Sequence, residues 1–269
     1  VFQGMFQSGE INGKGIVNYP NGDLYKGQMI NGLIEGMGIK TYTSGASYEG
    51  NFKNNKRSGF GVFTNSEGYS ASGNWIDGRL RGKGTIKYPD QSLYEGLIED
   101  DLPNGMGKIT YYDSSYYEGT WEKGVISGIG LAKYSNGQVY EGEFKNAKNH
   151  GKGEMTFPDG YYYSGDWVDG VFHGLGKAIY PDGTIYEGMY SNGQRHGLGK
   201  LLMKDGSSYE GDFKMGEIDG QGIAIYANGD RYEGHFKNGR REGQGIIKYE
   251  SGVTYEGLWK ENNRVTNQK

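Results

Sequence analysis

An all-β fold, a single-layered elongated antiparallel sheet built from β-hairpins strung one after another, is what this sequence predicts, and three observations predict it. A motif returns every 23 residues with no insertion or deletion. Glycine accounts for 51 of the 269 residues and tyrosine for 24. A mean hydropathy of −0.77 leaves little apolar material for a thick core. Glycine supplies the positive φ that tight turns need, and helix is disfavoured at such glycine density. With 5 prolines and no strict three-residue period, the glycine excess is not that of collagen.

Aligned on the tripeptide Tyr-Glu-Gly, the repeat has anchors at Phe2, Tyr25, Tyr48, Ala71, Tyr94, Tyr117, Tyr140, Tyr163, Tyr186, Tyr209, Tyr232 and Tyr255. Internal repeats of this length are the mark of an array whose units bury a core only by stacking. Ten of the twelve anchors are Tyr, and Gly always stands two positions later, from Gly4 to Gly257. A Gly-x-Gly follows in all eleven complete units, from Gly13/Gly15 to Gly243/Gly245. The array is expected over residues 1–262, with 263–269 a polar tail or the start of a further segment. The sequence opens Val1-Phe2-Gln3-Gly4 with no initiator Met, so a longer chain is expected.

Each unit reads as one hairpin. The first strand runs through segments such as Tyr48-Glu49-Gly50-Asn51-Phe52, which puts Tyr, Gly and Phe on one face and Glu on the other. A turn follows, with Gly seven residues after the anchor in eight of twelve units (Gly9, Gly32, Gly124, Gly193 among them). Asn55, Asp101 and Asn262 take that place elsewhere and tolerate a left-handed backbone, whereas Ala147 does so poorly. The second strand carries the Gly-x-Gly and ends in an aromatic residue, as at Tyr88, Tyr134, Phe157 and Tyr180. Turns such as Pro20-Asn21-Gly22, Pro158-Asp159-Gly160 and Pro181-Asp182-Gly183 close the unit.

These residues and this period resemble the MORN (membrane occupation and recognition nexus) repeat, whose pattern is Tyr-Glu-Gly-x-Trp/Phe, a turn Gly, then Gly-x-Gly. The resemblance covers almost the whole chain. Departures are Phe2 and Ala71 at the anchor, Met29 and Ile98 where Trp or Phe is usual, and Gln91 and Ser114 in place of a turn Gly. The segment from Ala71 to Ser114 is therefore where a bend or an altered groove is expected.

Hairpins too small to be stable alone should pair edge to edge. At about 4.8 Å per strand, twelve such units would span about 110 Å, with stability summed over neighbours. Bare glycines would let aromatic rings lie over the backbone. The result is a stripe of Phe6, Phe52, Trp75, Trp121, Phe144, Trp167, Tyr190, Phe213, Phe236 and Trp259, flanked by anchors that include Tyr140, Tyr163 and Tyr186. The stripe serves as the core of each unit. A thin sheet is also expected to leave it partly exposed, as a groove for an extended peptide or an amphipathic helix, and Tyr and Trp dominate binding hot spots.

Chemistry of other kinds finds little footing. His150, His173 and His196 are in register, but neighbouring hairpins place equivalent residues roughly 10 Å apart, too far to share a metal. A structural role beside the turn is expected for them. The ladder of Glu49, Glu95, Glu118, Glu141, Glu187, Glu210, Glu233 and Glu256 is spaced in the same way and lacks the asymmetric setting that catalytic carboxylates need. No Gly-x-Gly continues into a dinucleotide fingerprint, and no Gly-Lys precedes Ser or Thr. Zero cysteines exclude a disulfide framework and a cysteine nucleophile, and fit a reducing compartment. The basic spots Lys53/Lys56/Arg57, Arg79/Arg81 and Arg240/Arg241 fall at turns and are expected to be solvated. They are the one feature suited to an acidic lipid surface.

A net charge of −4 with both signs interspersed gives no footprint for nucleic acid, and no apolar run or signal peptide marks a membrane span or export. The expectation is a non-enzymatic scaffold without cofactor or metal. It would bind other proteins along the aromatic groove and could self-associate through open strand edges. The resemblance implies a cytoskeletal subunit of the axonemal radial-spoke-head kind, in the cytoplasm and specifically a cilium or flagellum. Its other implications are a phospholipid-associated organiser of the cell cortex, or a targeting module of a larger enzyme.

Overall fold

The computed structural model describes residues 1–7 and 9–266. The described residues form β-strands and turns and contain no helix. The chain divides into two compact units, Val1–Ser135 and Asn136–Lys269. In the first, twelve strands run from Phe2–Gln7 to Val125–Lys133, each antiparallel to the next. The second holds twelve more, from Val139–Lys145 to Asn263–Arg264, joined in the same way. The fold class is the one the sequence predicts. Of the segment 263–269, Asn263 and Arg264 pair with Lys260 and Trp259; residues 267–269 lie outside the described ones.

In the hairpins between the first and the last, the anchor strand has seven residues and its partner nine, as in Ile185–Ser191 and Gln194–Leu202. Both central turn residues have positive φ, 49° at Asn31 and 76° at Gly32. That combination matches the right-handed twist of the flanking strands. The four units without Gly use the same conformation, with φ of 65° at Asn55, 73° at Asp101, 60° at Ala147 and 70° at Asn262. Three of them gain a bond in return: Oδ1 of Asn55, Asp101 and Asn262 accepts the backbone N–H of Ile34, Leu80 and Arg241 in the preceding hairpin. Ala147 has no side-chain acceptor to offer. The turn residue's own N–H donates to that preceding hairpin too, Gly32 to Ile11 and Gly193 to Phe172. In the connecting turns Gly22 donates to the Tyr19 carbonyl at 3.0 Å, and Gln91 and Ser114 adopt the left-handed conformation of the glycines they replace.

Tyr186 shows how the core is built. Gly188 and Gly199 face each other across the hairpin, and a Cβ on either would lie within 2.6 Å of the Tyr186 hydroxyl. The ring therefore occupies the space that two side chains would fill elsewhere. Beyond Gly188 the register shifts, leaving Met189 without a partner across its own hairpin, and the Tyr186 hydroxyl donates to the Met189 carbonyl at 2.9 Å. The same bond recurs from Tyr25 to Gln28, Tyr94 to Leu97 and Tyr140 to Glu143. A buried carbonyl freed by an irregular strand would be costly without it.

The aromatic four residues after the anchor, present in all units but those of Met29 and Ile98, locks successive hairpins together. Tyr186 meets Tyr190 of its own unit and Phe213 of the next edge to face, at 5.2 and 5.0 Å between centroids. Tyr48 meets Phe52 and Trp75 likewise, and Tyr232 meets Phe236 and Trp259. Such T-shaped pairs add to the burial energy of the rings. All four tryptophans donate Nε1–H to a glycine carbonyl of the preceding unit: Trp75 to Gly61, Trp121 to Gly107, Trp167 to Gly153 and Trp259 to Gly245.

At Ala71 the ring is missing, and the packing around it differs. Methyl groups of Leu80 and Ile98 stand over Gly73 and Gly84 where an anchor ring would lie. Ile98, which replaces the usual Trp or Phe, is thus matched to the absent tyrosine.

Candidate functional site

The eleven residues expected to line a groove are all in the core. Trp75, Trp121, Phe144, Trp167, Tyr190, Phe213, Phe236 and Trp259 are each less than a tenth exposed, and Tyr140, Tyr163 and Tyr186 are fully buried. The expectation that a single layer leaves this stripe exposed is corrected for these residues and for Phe52; Phe6, in the first hairpin, is exposed. Trp167 is covered by the anchors Tyr140 and Tyr163 and by Phe172 opposite on the second strand, whereas Trp75, whose own anchor is Ala71, is covered by Tyr48 and has Leu80 opposite. What stays half-buried on this face is a second tier of rings at the strand ends, including Tyr42, Phe63 and Tyr69. Sequence reading recognised strand-end aromatics but not that they wall the face while the stripe lies beneath.

The basic spots divide in two. Lys56, Arg79, Arg81 and Arg240 are exposed and paired with Asp77, Asp101, Asp100 and Glu261. Arg57 and Arg241 are not solvated turn residues. The Arg57 guanidinium lies 4.0 Å from the Trp75 ring centre, with Phe63 and Tyr48 at 5.4 and 5.7 Å. It donates to the Gly78 carbonyl at 2.7 Å. Arg241 lies 4.3 Å over Trp259 and donates to the Asn262 carbonyl. Arg195 over Phe213 is a third case. All three stand nine residues after an anchor, at Tyr48, Tyr186 and Tyr232. Both the stacking and the bond cross into the next unit, which is why sequence neighbours do not reveal them.

Two cavities adjoin these arginines. One of about 620 Å³ is lined by Arg57, Trp75, Tyr42, Phe63, Tyr69, Asp23 and Asp101 among others. One of about 460 Å³ is lined by Arg241, Tyr226, Tyr249, Asn228, Asp230 and Ile247. Burial raises the pKa of the Asp23 carboxyl, but bonds from Asn21 and the Thr43 N–H and the Lys40 ammonium outweigh it and hold it below the usual carboxylate value. Burial also pushes the Tyr42 and Tyr69 phenols up.

The opposite face is apolar in places. The middle residue of Gly-x-Gly points away from the anchor rings, because strand side chains alternate. It is Met37, Phe60, Met106 and Ile129 in the first unit, 58, 65, 56 and 68% exposed, and Leu175 and Leu198 in the second, 60 and 68%.

His150 takes the structural role expected beside the turn: its Nδ1 accepts the Asp169 backbone N–H of the next hairpin at 3.4 Å. Asn12, Glu35 and Asn104 cap the following turn from the same slot. No cluster of three or more His, Cys, Asp or Glu suited to a metal occurs among the described residues. Of the glutamate ladder, Glu118 and Glu210 sit 3.4 and 3.7 Å from Lys108 and Lys200 on the exposed surface.

Among solved structures the chain is similar to the TCP domain of SAS-4 of Drosophila melanogaster in complex with a proline-rich motif of Ana2. Identity is 17%, with 66% of this chain and 90% of that one covered and a TM-score of 0.37. It is also similar to the TCP10 domain of Danio rerio CPAP in complex with a peptide of STIL, at 13% identity, 91% and 99% coverage and a TM-score of 0.35. Likenesses this distant carry no statement about fold or partners. No curated protein matches the sequence. The profile of the MORN repeat matches eleven times, at residues 2–24, 25–47, 48–68, 72–93, 94–116, 117–139, 140–160, 163–185, 186–208, 209–231 and 232–254. Its frame is the frame of anchors, paired glycines and turns described above, and it skips Ala71, where the ring is absent. On that match the chain belongs to the MORN repeat family.

Proposed function

We propose that the protein is a non-catalytic protein-binding scaffold, a cytoskeletal subunit of the radial-spoke-head kind in a cilium or flagellum. The observation that carries the binding role is the set of exposed apolar pairs at the centre of Gly-x-Gly, separated along the row by Lys83 and Lys152. Exposed apolar patches of this sort mark contact sites. Met37 and Phe60 are consecutive members of that row, as are Leu175 and Leu198. Members in adjacent hairpins are two strand spacings apart, about 10 Å. One face of an α-helix returns every seven residues, about 10.5 Å. An amphipathic helix laid across two hairpins would therefore meet both. The buried stripe enters this reading as the support beneath the other face, whose walls are the half-buried second-tier rings. The axonemal assignment is supported by the long, insertion-free array that the family resemblance rests on.

The test is capture from native cells with mass spectrometry, using the wild-type chain and a Met37→Asp/Phe60→Asp variant as parallel baits. Axonemal or microtubule-associated proteins retained by the first and lost by the second support the proposal. Cortical membrane proteins retained equally by both, together with flotation on anionic vesicles at physiological salt, would favour the lipid-associated organiser instead.

A further inference from the structure

Around Trp75 the hydrogen-bond inventory is unbalanced in one direction. A guanidinium has five N–H donors in one plane. Arg57 spends Nη2–H on the Gly78 carbonyl, and no carboxylate lies within ion-pair distance of it among the described residues. Arg57 lines the cavity of about 620 Å³ beside Trp75, and its remaining N–H groups carry no hydrogen bond to a carboxylate of the described residues there. The two carboxylates on that cavity are already engaged. Asp101 accepts the Leu80 N–H and pairs with Arg79. Asp23 accepts the Thr43 N–H and lies 3.6 Å from Lys40. Donors are in surplus and acceptors are not.

The second unit repeats the arrangement. Arg241 stacks on Trp259 beside its own cavity of about 460 Å³. Its Nε is buried and has no hydrogen-bond partner. A buried unsatisfied donor is costly, and a small shift of the side chain toward an acceptor in the cavity would remove that cost.

From these two sites we infer that the cavities beside Arg57 and Arg241 receive acidic segments of a partner protein. A Glu or Asp carboxylate meets the arginine fork, and an apolar neighbouring side chain packs on the half-buried rings, Tyr42, Phe63 and Tyr69 at the first site. The inference deepens the protein-binding reading and rests on it. The planar carboxylate matches the planar fork in a bidentate pair. Asp23 and Asp101 on the rim oppose a phosphate dianion more than a monoanion, and the aromatic walls give a bare anion nothing to contact. An acidic peptide uses both features.

The test is selection of a random 12-residue peptide display library on the full chain, followed by anisotropy titration of the labelled leading peptide. Peptides enriched in Glu or Asp next to an aromatic or aliphatic residue are expected. Replacing that Glu by Gln, or pairing Arg57→Gln with Arg241→Gln, should weaken binding about tenfold or more. Affinity should also fall as salt rises. Because Arg57 holds the Gly78 carbonyl, Arg57→Lys serves as a second variant; it keeps the charge and loses the fork, so its affinity should be intermediate. Wild-type affinity in Arg57→Lys and Arg57→Gln would overturn the inference, as would selected peptides without a carboxylate. Peptides lost only with Phe60→Asp would overturn it and leave the scaffold reading standing. A library that yields no binder would overturn both. Anionic vesicles bound through Arg57 in place of peptides would assign the site to lipid and overturn it.

Discussion

Tyr186 concentrates what a single side chain does in this fold. Its ring replaces the two side chains missing at Gly188 and Gly199, and its hydroxyl satisfies a carbonyl that the irregular strand has freed. Tyr186→Phe keeps the first contribution and removes the second. It should lower unfolding free energy by about 1–2 kcal/mol in a denaturant titration, with little change in slope. Burial pushes the Tyr25, Tyr48, Tyr94, Tyr186 and Tyr232 phenols up to about 12. The folded state then holds protons that the unfolded chain has lost above pH 10. Stability should be unaffected by tyrosine ionisation below pH 10 and decline between 10 and 12, a trend that thermal melts across that range would read. Ala147, left-handed at φ 60° with no compensating bond, is the converse case. Ala147→Gly should stabilise the chain by about 1 kcal/mol, and an unchanged or lowered denaturation midpoint would count against a strained turn at this position.

At the scale of the hairpin, the alternation of Tyr, Gly and aromatic made the strand pair legible, and the positive-φ slot was legible even where Asn55, Asp101 and Asn262 replace glycine. The irregularity beyond each Gly was not, because a two-residue period does not show that one residue opposes three. The hydroxyl acceptor depends on that irregularity and was hidden with it. Ala71 tests how far one hairpin differs from its neighbours. Restoring the family residue there looks stabilising from the repeat pattern alone. With Leu80 and Ile98 already standing over Gly73 and Gly84, Ala71→Tyr overfills the site. It should cost about 1–3 kcal/mol, whereas a gain would show that these methyls leave room.

In the molecule as a whole, each unit sums nearest-neighbour contacts, and the aromatic rings four residues after the anchors, from Phe52 to Trp259, are consumed in them. The sequence displayed this stripe clearly but not its burial, since the covering groups come from the preceding hairpin and from across the same one. Arg57 was misplaced for the same reason. Read along the chain it is a basic residue near a turn, and only the strand register lays it on Trp75. The binding surfaces are therefore what the core leaves over, the second-tier rings with their arginines on one face and the apolar row on the other. The stability of Trp167→Ala, measured by equilibrium denaturation with no partner present, tests that division most directly. A core residue predicts a loss of about 3–5 kcal/mol, while a loss under about 1 kcal/mol would mean that the stripe is an open interface and that this division of core from surface is wrong.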